Sequence, residues 1–160
     1  MPKLTPEQWA AQWVNAPHRF QINVHNFEVK AGKAAVDVFQ GSFDRKRLNT
    51  ANSKSWPKWQ GQYSGGGTLL DEFGYLRKSI KVKSVMDHKV VIHTDPSEFS
   101  GHTRNSGFCF AEVHNNLDSI GNKPKRGPKR ERQFICVSTV LEAELKKLSV
   151  HIFDGFPRSK

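Results

Sequence analysis

From Asn23 to Leu48 the chain runs without a proline, and Phe27, Ala31, Ala34, Ala35, Val38 and Leu48 recur near helical spacing. This feature constrains the fold more than any other, because it predicts one long helix whose apolar stripe must be covered by other parts of the chain. Gly32 and Gly41 interrupt the stretch, each costing about 1 kcal/mol relative to alanine. Packing, rather than propensity, must therefore hold the helix.

The remaining elements are shorter. Thr5, Pro6 and Glu7 form an N-cap, a first-turn proline and an acidic first turn, so TPEQWAAQWVN predicts a helix with Trp9 and Trp13 on one face. A turn is expected at Ala16-Pro17-His18 before the long helix. TLLDEFGYLRKSI reads as a short helical or turn element, and KVKSVMDHKVVIHTD as two alternating strands around Met86-Asp87-His88. Val82, Val85, Val90 and Ile92 mark the apolar positions of that hairpin. DPSEFSGHTRNSG reads as a polar loop, and GFCFAEVHNN as a short helix or strand. The apolar run Phe134-Ile135-Cys136-Val137 suits a strand, and Ser138 caps a last amphipathic helix with Leu141, Leu145, Leu148 and Ile152 on one side. The expected fold is α+β, a small antiparallel sheet packed against a long helix and a C-terminal amphipathic helix, in a single domain spanning residues 1–160.

Two segments stand outside that frame. Residues 49–67, NTANSKSWPKWQGQYSGGG, read as a flexible loop anchored by aromatics, with Trp56, Trp59 and Tyr63 as a candidate interface. Residues 117–133 read as a basic arm, where proline and glycine deny both ladder and helix hydrogen bonds. Lys123, Lys125, Arg126, Lys129, Arg130 and Arg132, set against Glu131 alone, carry half of the formal net charge of +10. Such a segment is suited to contact phosphates or an acidic partner surface, and equally to remain a solvated segment kept soluble by its charge. No aromatic residue lies between Lys123 and Gln133, which argues against base stacking and sequence readout.

Other chemistry finds little support. SGGGT at 64–68 lacks the lysine that a phosphate-binding P-loop needs, because Gly67 occupies that place. His102, Cys109 and His114 are the nearest approach to a metal cluster, but on a helix Cys109 and His114 would diverge. Asp71 and Glu72 are sequential and point apart, and Glu98 and Glu112 are isolated, so no catalytic constellation is visible and no cofactor is expected. Cys109 and Cys136 sit among apolar neighbours, as buried reduced thiols do in a cytosolic redox environment. Neither a signal peptide nor a membrane span is expected, since no stretch approaches ~20 apolar residues.

Three segments taken in order resemble the phage virion-morphogenesis or tail-completion proteins. GTLLDEFGYLRKSI at 67–80 is similar to that family's run of two apolar residues, a polar link, glycine and leucine-arginine-x-serine-isoleucine. FAEVHNN at 110–116 is similar to its tyrosine-alanine-x-x-histidine-asparagine-x-glycine segment, and RQFICVS at 132–138 to its arginine-proline-phenylalanine-leucine-glycine-x-serine segment before a terminal helix. Phe110, Asn116-Leu117, Gln133 and Cys136 depart from the pattern at turn positions. The residues also make sense alone: Gly74 permits a sharp backbone change, Arg77 and Ser79 support the turn, and Leu76 and Ile80 enter the core. His114 and Asn115 can satisfy free carbonyls at a helix end.

The resemblance implies a non-enzymatic virion protein of a tailed bacteriophage, a tail completion, tail terminator or head-tail joining subunit assembled in the host cytoplasm. Its implied partners are copies of itself in a ring, a hexamer or dodecamer, with neighbouring neck, tail-tube or connector proteins and the DNA passing through the channel. Another class fits the charge: a free nucleic-acid-binding module using residues 123–132.

Overall fold

The computed structural model describes residues 5–56, 74–86, 88–99, 115 and 132–156. Helix α1 (Pro6–Val14) opens with a capping box in which Gln8 N–H donates to Thr5 Oγ1 at 3.2 Å and Thr5 N–H donates to Gln8 Oε1 at 3.0 Å. The expected helix start at Thr5-Pro6-Glu7 is present. None of the residues of α1 is buried.

Helix α2 (Ala16–Arg45) is the central element, about 45 Å long at the usual rise per residue. It begins earlier than its sequence suggests. Pro17 does not make a turn before the helix but occupies its first turn, where a missing N–H removes no helical bond. It also ends before Leu48: Lys46 adopts a left-handed conformation (φ 51°), and the Lys46 and Arg47 N–H groups turn back to the Phe43 and Ser42 carbonyls.

The buried side of α2 supplies Ala35, Val38, Phe39 and Phe43 to a core completed by Trp56, Leu76, Ile80 and Phe134. Gly74 (φ 73°) turns the chain into the single-turn α3 (Tyr75–Lys78), and Leu76 and Ile80 then enter that core. Arg77 makes a two-pronged pair with Asp44 on α2 at 2.7 and 3.0 Å. Ser79, fully buried, donates its hydroxyl to the Leu76 carbonyl. The roles read from Gly74, Leu76, Arg77, Ser79 and Ile80 hold residue by residue.

Strands β1 (Ile80–Met86) and β2 (Lys89–Thr94) form a two-stranded antiparallel sheet that pairs Ile80 with Thr94 and Val82 with Ile92, with an irregularity between Val82 and Ser84. His88 stands in the connecting turn with φ 60°. The sheet packs on α2 where Gly32 gives it room: a β-carbon there would meet Val82 Cγ2 at 3.1 Å and Val90 Cγ1 at 3.2 Å. A glycine that weakens the helix in isolation thus lets the sheet approach. The buried Glu28 carboxylate meets His88 Nδ1 at 2.9 Å, tying the turn of the hairpin to α2. Beyond β2, a 3-10 turn (Pro96–Phe99) brings Glu98 and Asp95 onto Lys81 Nζ, at 2.6 and 2.9 Å.

Residues 134–137 are not a strand. Phe134 is fully buried, while Val137 points to solvent and the backbone bends at Ile135-Cys136. Cys136 is a half-buried free thiol, and Cys109 lies outside the described residues. Ser138 caps α4 (Thr139–Ser149) as expected, its Oγ accepting from Leu141 N–H at 3.2 Å. The helix stops short of Ile152, which belongs to a final 3-10 turn (Val150–Phe153). The fold is α+β, with the sheet and the C-terminal helix both packed on α2. Among the described residues, no helix is long and apolar enough to cross a membrane.

Candidate functional site

The C-terminal end of α2 is where the chain leading out of the basic arm rejoins the fold. Asn115 clasps it with its side-chain amide. Oδ1 accepts from the Phe134 N–H at 3.0 Å and the Ile135 N–H at 2.8 Å, while Nδ2 donates to the Ile135 carbonyl at 2.9 Å. One side chain thereby satisfies three backbone groups that no strand partner satisfies. Asn115 was expected to serve carbonyls at its own helix end. Instead it works across the chain, and the residues flanking the arm on both sides are fixed at one place.

Trp56 holds the same place from the other direction. Its indole N–H donates to the Gln133 carbonyl at 3.0 Å, and its ring meets Phe43 edge to face, the centroids 5.5 Å apart. At 7% exposed, Trp56 is a core residue, so its side chain does not form the interface expected of it. The apolar bulk that marked it as a docking residue finds its partners inside. Arg132, at 6% exposed, likewise belongs to the packing at the base of the arm rather than to a cationic surface. Trp59, Tyr63, Lys123, Lys125, Arg126, Lys129 and Arg130 lie outside the described residues, as do residues 57–67 of the loop.

Further bonds tie this end together. The Trp56 N–H donates to the Lys46 carbonyl at 2.7 Å, Arg47 and Ser55 form an isolated antiparallel bridge, and the Ser138 hydroxyl donates to the Asn49 carbonyl. Thr139 N–H donates to Thr50 Oγ1 at 3.1 Å, and Ala51 N–H to Thr139 Oγ1 at 2.9 Å. On this scaffold Arg45, Lys46, Arg47 and Lys54 are all exposed. Asp44 beside them is engaged by Arg77. Among the described residues no carboxylate lies within ion-pair distance of these four cations. The reading of charge along the sequence assigned the basic surface to the arm alone. The run Arg45-Lys46-Arg47 was the available signal, hidden because the helix was extended through it to Leu48.

The opposite end of α2 has another character. Trp9 and Trp13 lie on one face of α1 as expected, with ring centroids 5.7 Å apart. Phe156 meets Trp13 and Phe20 edge to face at 6.2 Å each, and Phe153 lies 5.9 Å from Phe20 and 5.8 Å from Phe156. The chain is turned back for this by Asn23 Nδ2, which donates to the Ile152 and Asp154 carbonyls at 3.0 Å each, and by Arg19, which donates to the Gly155 carbonyl. Trp9 remains 49% and Phe153 61% exposed, so the five rings gather without being fully covered. Periodicity showed the tryptophan pair but could not show that the last residues fold back onto it.

The perturbed ionisable groups away from these ends do structural work. Hydrogen bonds from Lys81 and then Ser97 hold the Asp95 carboxyl well below the usual carboxylate range, and Glu98 and Asp95 raise the Lys81 ammonium in turn. Among the described residues, no three His, Cys, Asp or Glu side chains are grouped so as to hold a metal ion. Comparison with family models, with curated proteins and with solved structures finds no match to this chain.

Proposed function

We propose that this chain is a structural subunit of a tailed bacteriophage virion, a tail completion, tail terminator or head-tail joining protein that works by assembling into a ring of six or twelve copies and taking no part in catalysis. The observation that carries the reading is the convergence of the three segments on which the resemblance rests. Leu76 and Ile80 from the first share a core with Phe134 from the third, and Asn115 from the second bonds the backbone of Phe134 and Ile135. Residues separated by tens of positions are thus parts of one structural unit, as expected if they serve a common fold. A closed ring needs two unlike surfaces on each subunit, and the exposed rings at the N-terminal end of α2 suit one of them.

In this reading the protein resides in the virion and meets neck, tail-tube or connector proteins. Deleting its gene in the phage that encodes it is expected to leave heads and tails unjoined, with joining restored by the wild-type chain supplied separately. Normal tailed particles from the deletion would contradict the reading. Charge favours one rival, a free nucleic-acid-binding module: it predicts normal particle assembly without the chain, together with tight duplex binding by the isolated monomer.

A further inference from the structure

Arg45, Lys46, Arg47 and Lys54 are more than a helix terminus. The negative pole of a helix accounts for a cation in its last turn, which Arg45 supplies, but it fades beyond that turn. Lys46 and Arg47 follow outside the helix, and the bridge between Arg47 and Ser55 brings the chain at Lys54 back beside this turn. The frame beneath is cross-bonded: Trp56 bonds the Lys46 carbonyl and the Gln133 carbonyl, and the acid next in sequence, Asp44, is taken by Arg77.

We infer that Arg45, Lys46, Arg47 and Lys54 form a built-in binding surface for the phosphate backbone of duplex nucleic acid. Four exposed cations without a partnering carboxylate among the described residues suit a polyanion, which trades condensed counterions for them. A nucleic acid fits better than an acidic protein because protein interfaces bury an apolar centre. Of the large apolar side chains exposed in the described residues, only Val137 belongs to this end of the molecule. With phosphate as the target and no aromatic among the four, binding is independent of base sequence.

The surface names the partner of one end of the proposed assembly subunit and in that sense rests on the reading above, yet its test is separate. Fluorescence anisotropy with a short labelled duplex, at stepped salt, compares the full wild-type chain with R45Q/K46N/R47Q/K54Q, asparagine being chosen at 46 because it tolerates the left-handed backbone. Light scattering on the same samples reports assembly. The expected result is duplex binding whose dependence of log affinity on log salt is shallower by about 3 to 4 in the variant, with its mass distribution unchanged. Because four substitutions can disturb folding, acetylation of lysines in the wild-type chain gives a second readout: duplex should protect Lys46 and Lys54 but leave Lys146 and Lys147 on α4 reactive. Absence of duplex binding, equal slopes in the two chains, unprotected Lys46 and Lys54, or poly-glutamate competing as well as duplex would each overturn the inference. A wild-type chain that binds duplex but stays monomeric would instead count against the virion reading alone, and loss of assembly in the variant would overturn the inference.

Discussion

The two ends of α2 present opposite chemistry on foundations of opposite strength. At the C-terminal end, cations stand on a frame in which Trp56, Phe134 and Ser138 are buried and segments far apart in sequence are bonded to one another. At the N-terminal end, aromatic rings stand on α1, which has no buried residue and, at nine residues, falls below the length at which a helix is stable alone. Charge needs no cover and can be displayed from a finished structure. Exposed rings are the mark of a surface that is completed by something else. The difference teaches where stability should reside and where binding should act without it.

The largest expected effect is at the strong end. Phe134→Ala empties a fully buried site between Phe43 and the base of the arm and is expected to cost about 3 to 5 kcal/mol in urea unfolding. Asn115→Ala follows: it strands two N–H groups and a carbonyl and should cost about 2 to 3 kcal/mol, whereas Asn115→Asp, which still accepts from both N–H groups, should cost less. Gly32→Val tests the middle of the helix, where Val82 and Val90 leave no room, and should destabilise by about 1 to 3 kcal/mol. At the weak end, Trp9→Ser should change the unfolding free energy of the isolated chain by less than about 0.5 kcal/mol, since its ring is half exposed. If Trp9→Ser cost as much as Phe134→Ala, the contrast between the ends would collapse. The smallest effect concerns acid. Asp95 is ionised in the folded chain at pH values where the unfolded chain binds a proton, so it adds stability above about pH 4 that fades as pH falls toward its lowered folded value. Asp95→Asn should flatten the acid limb of stability against pH, while leaving both ends of α2 unaltered.

How much of this was legible in the sequence depends on the range of the forces involved. Local signals worked: the Thr5 and Ser138 caps, the Gly74 turn, the hairpin alternation and the proline-free helix are set by neighbours within a few residues. Boundaries failed where one residue has two uses. Pro17 reads as a turn or as a first helical turn, and its lack of an N–H suits both. The run of residues 134–137 failed because an apolar stretch reads as a strand whether or not a partner strand exists, and here the partner is one asparagine side chain. Trp56 failed for a similar reason, since apolar bulk in a polar loop looks the same whether it faces a partner or its own core. The basic end was half legible: its charges could be counted, but the bridge that brings Ser55, and the chain at Lys54 with it, back to Arg47 could not be read. The aromatic end needed the contact between residues 9–20 and 153–156, which no local pattern announces.

Under the proposed function, this chain acts by joining copies of itself through unlike surfaces. Native mass spectrometry of the purified chain, alone and mixed with the neck and tail proteins proposed as its partners, tests that most directly. The predicted result is a discrete closed oligomer at six or twelve times 18.2 kDa; a monomer at every concentration and with every partner would contradict it.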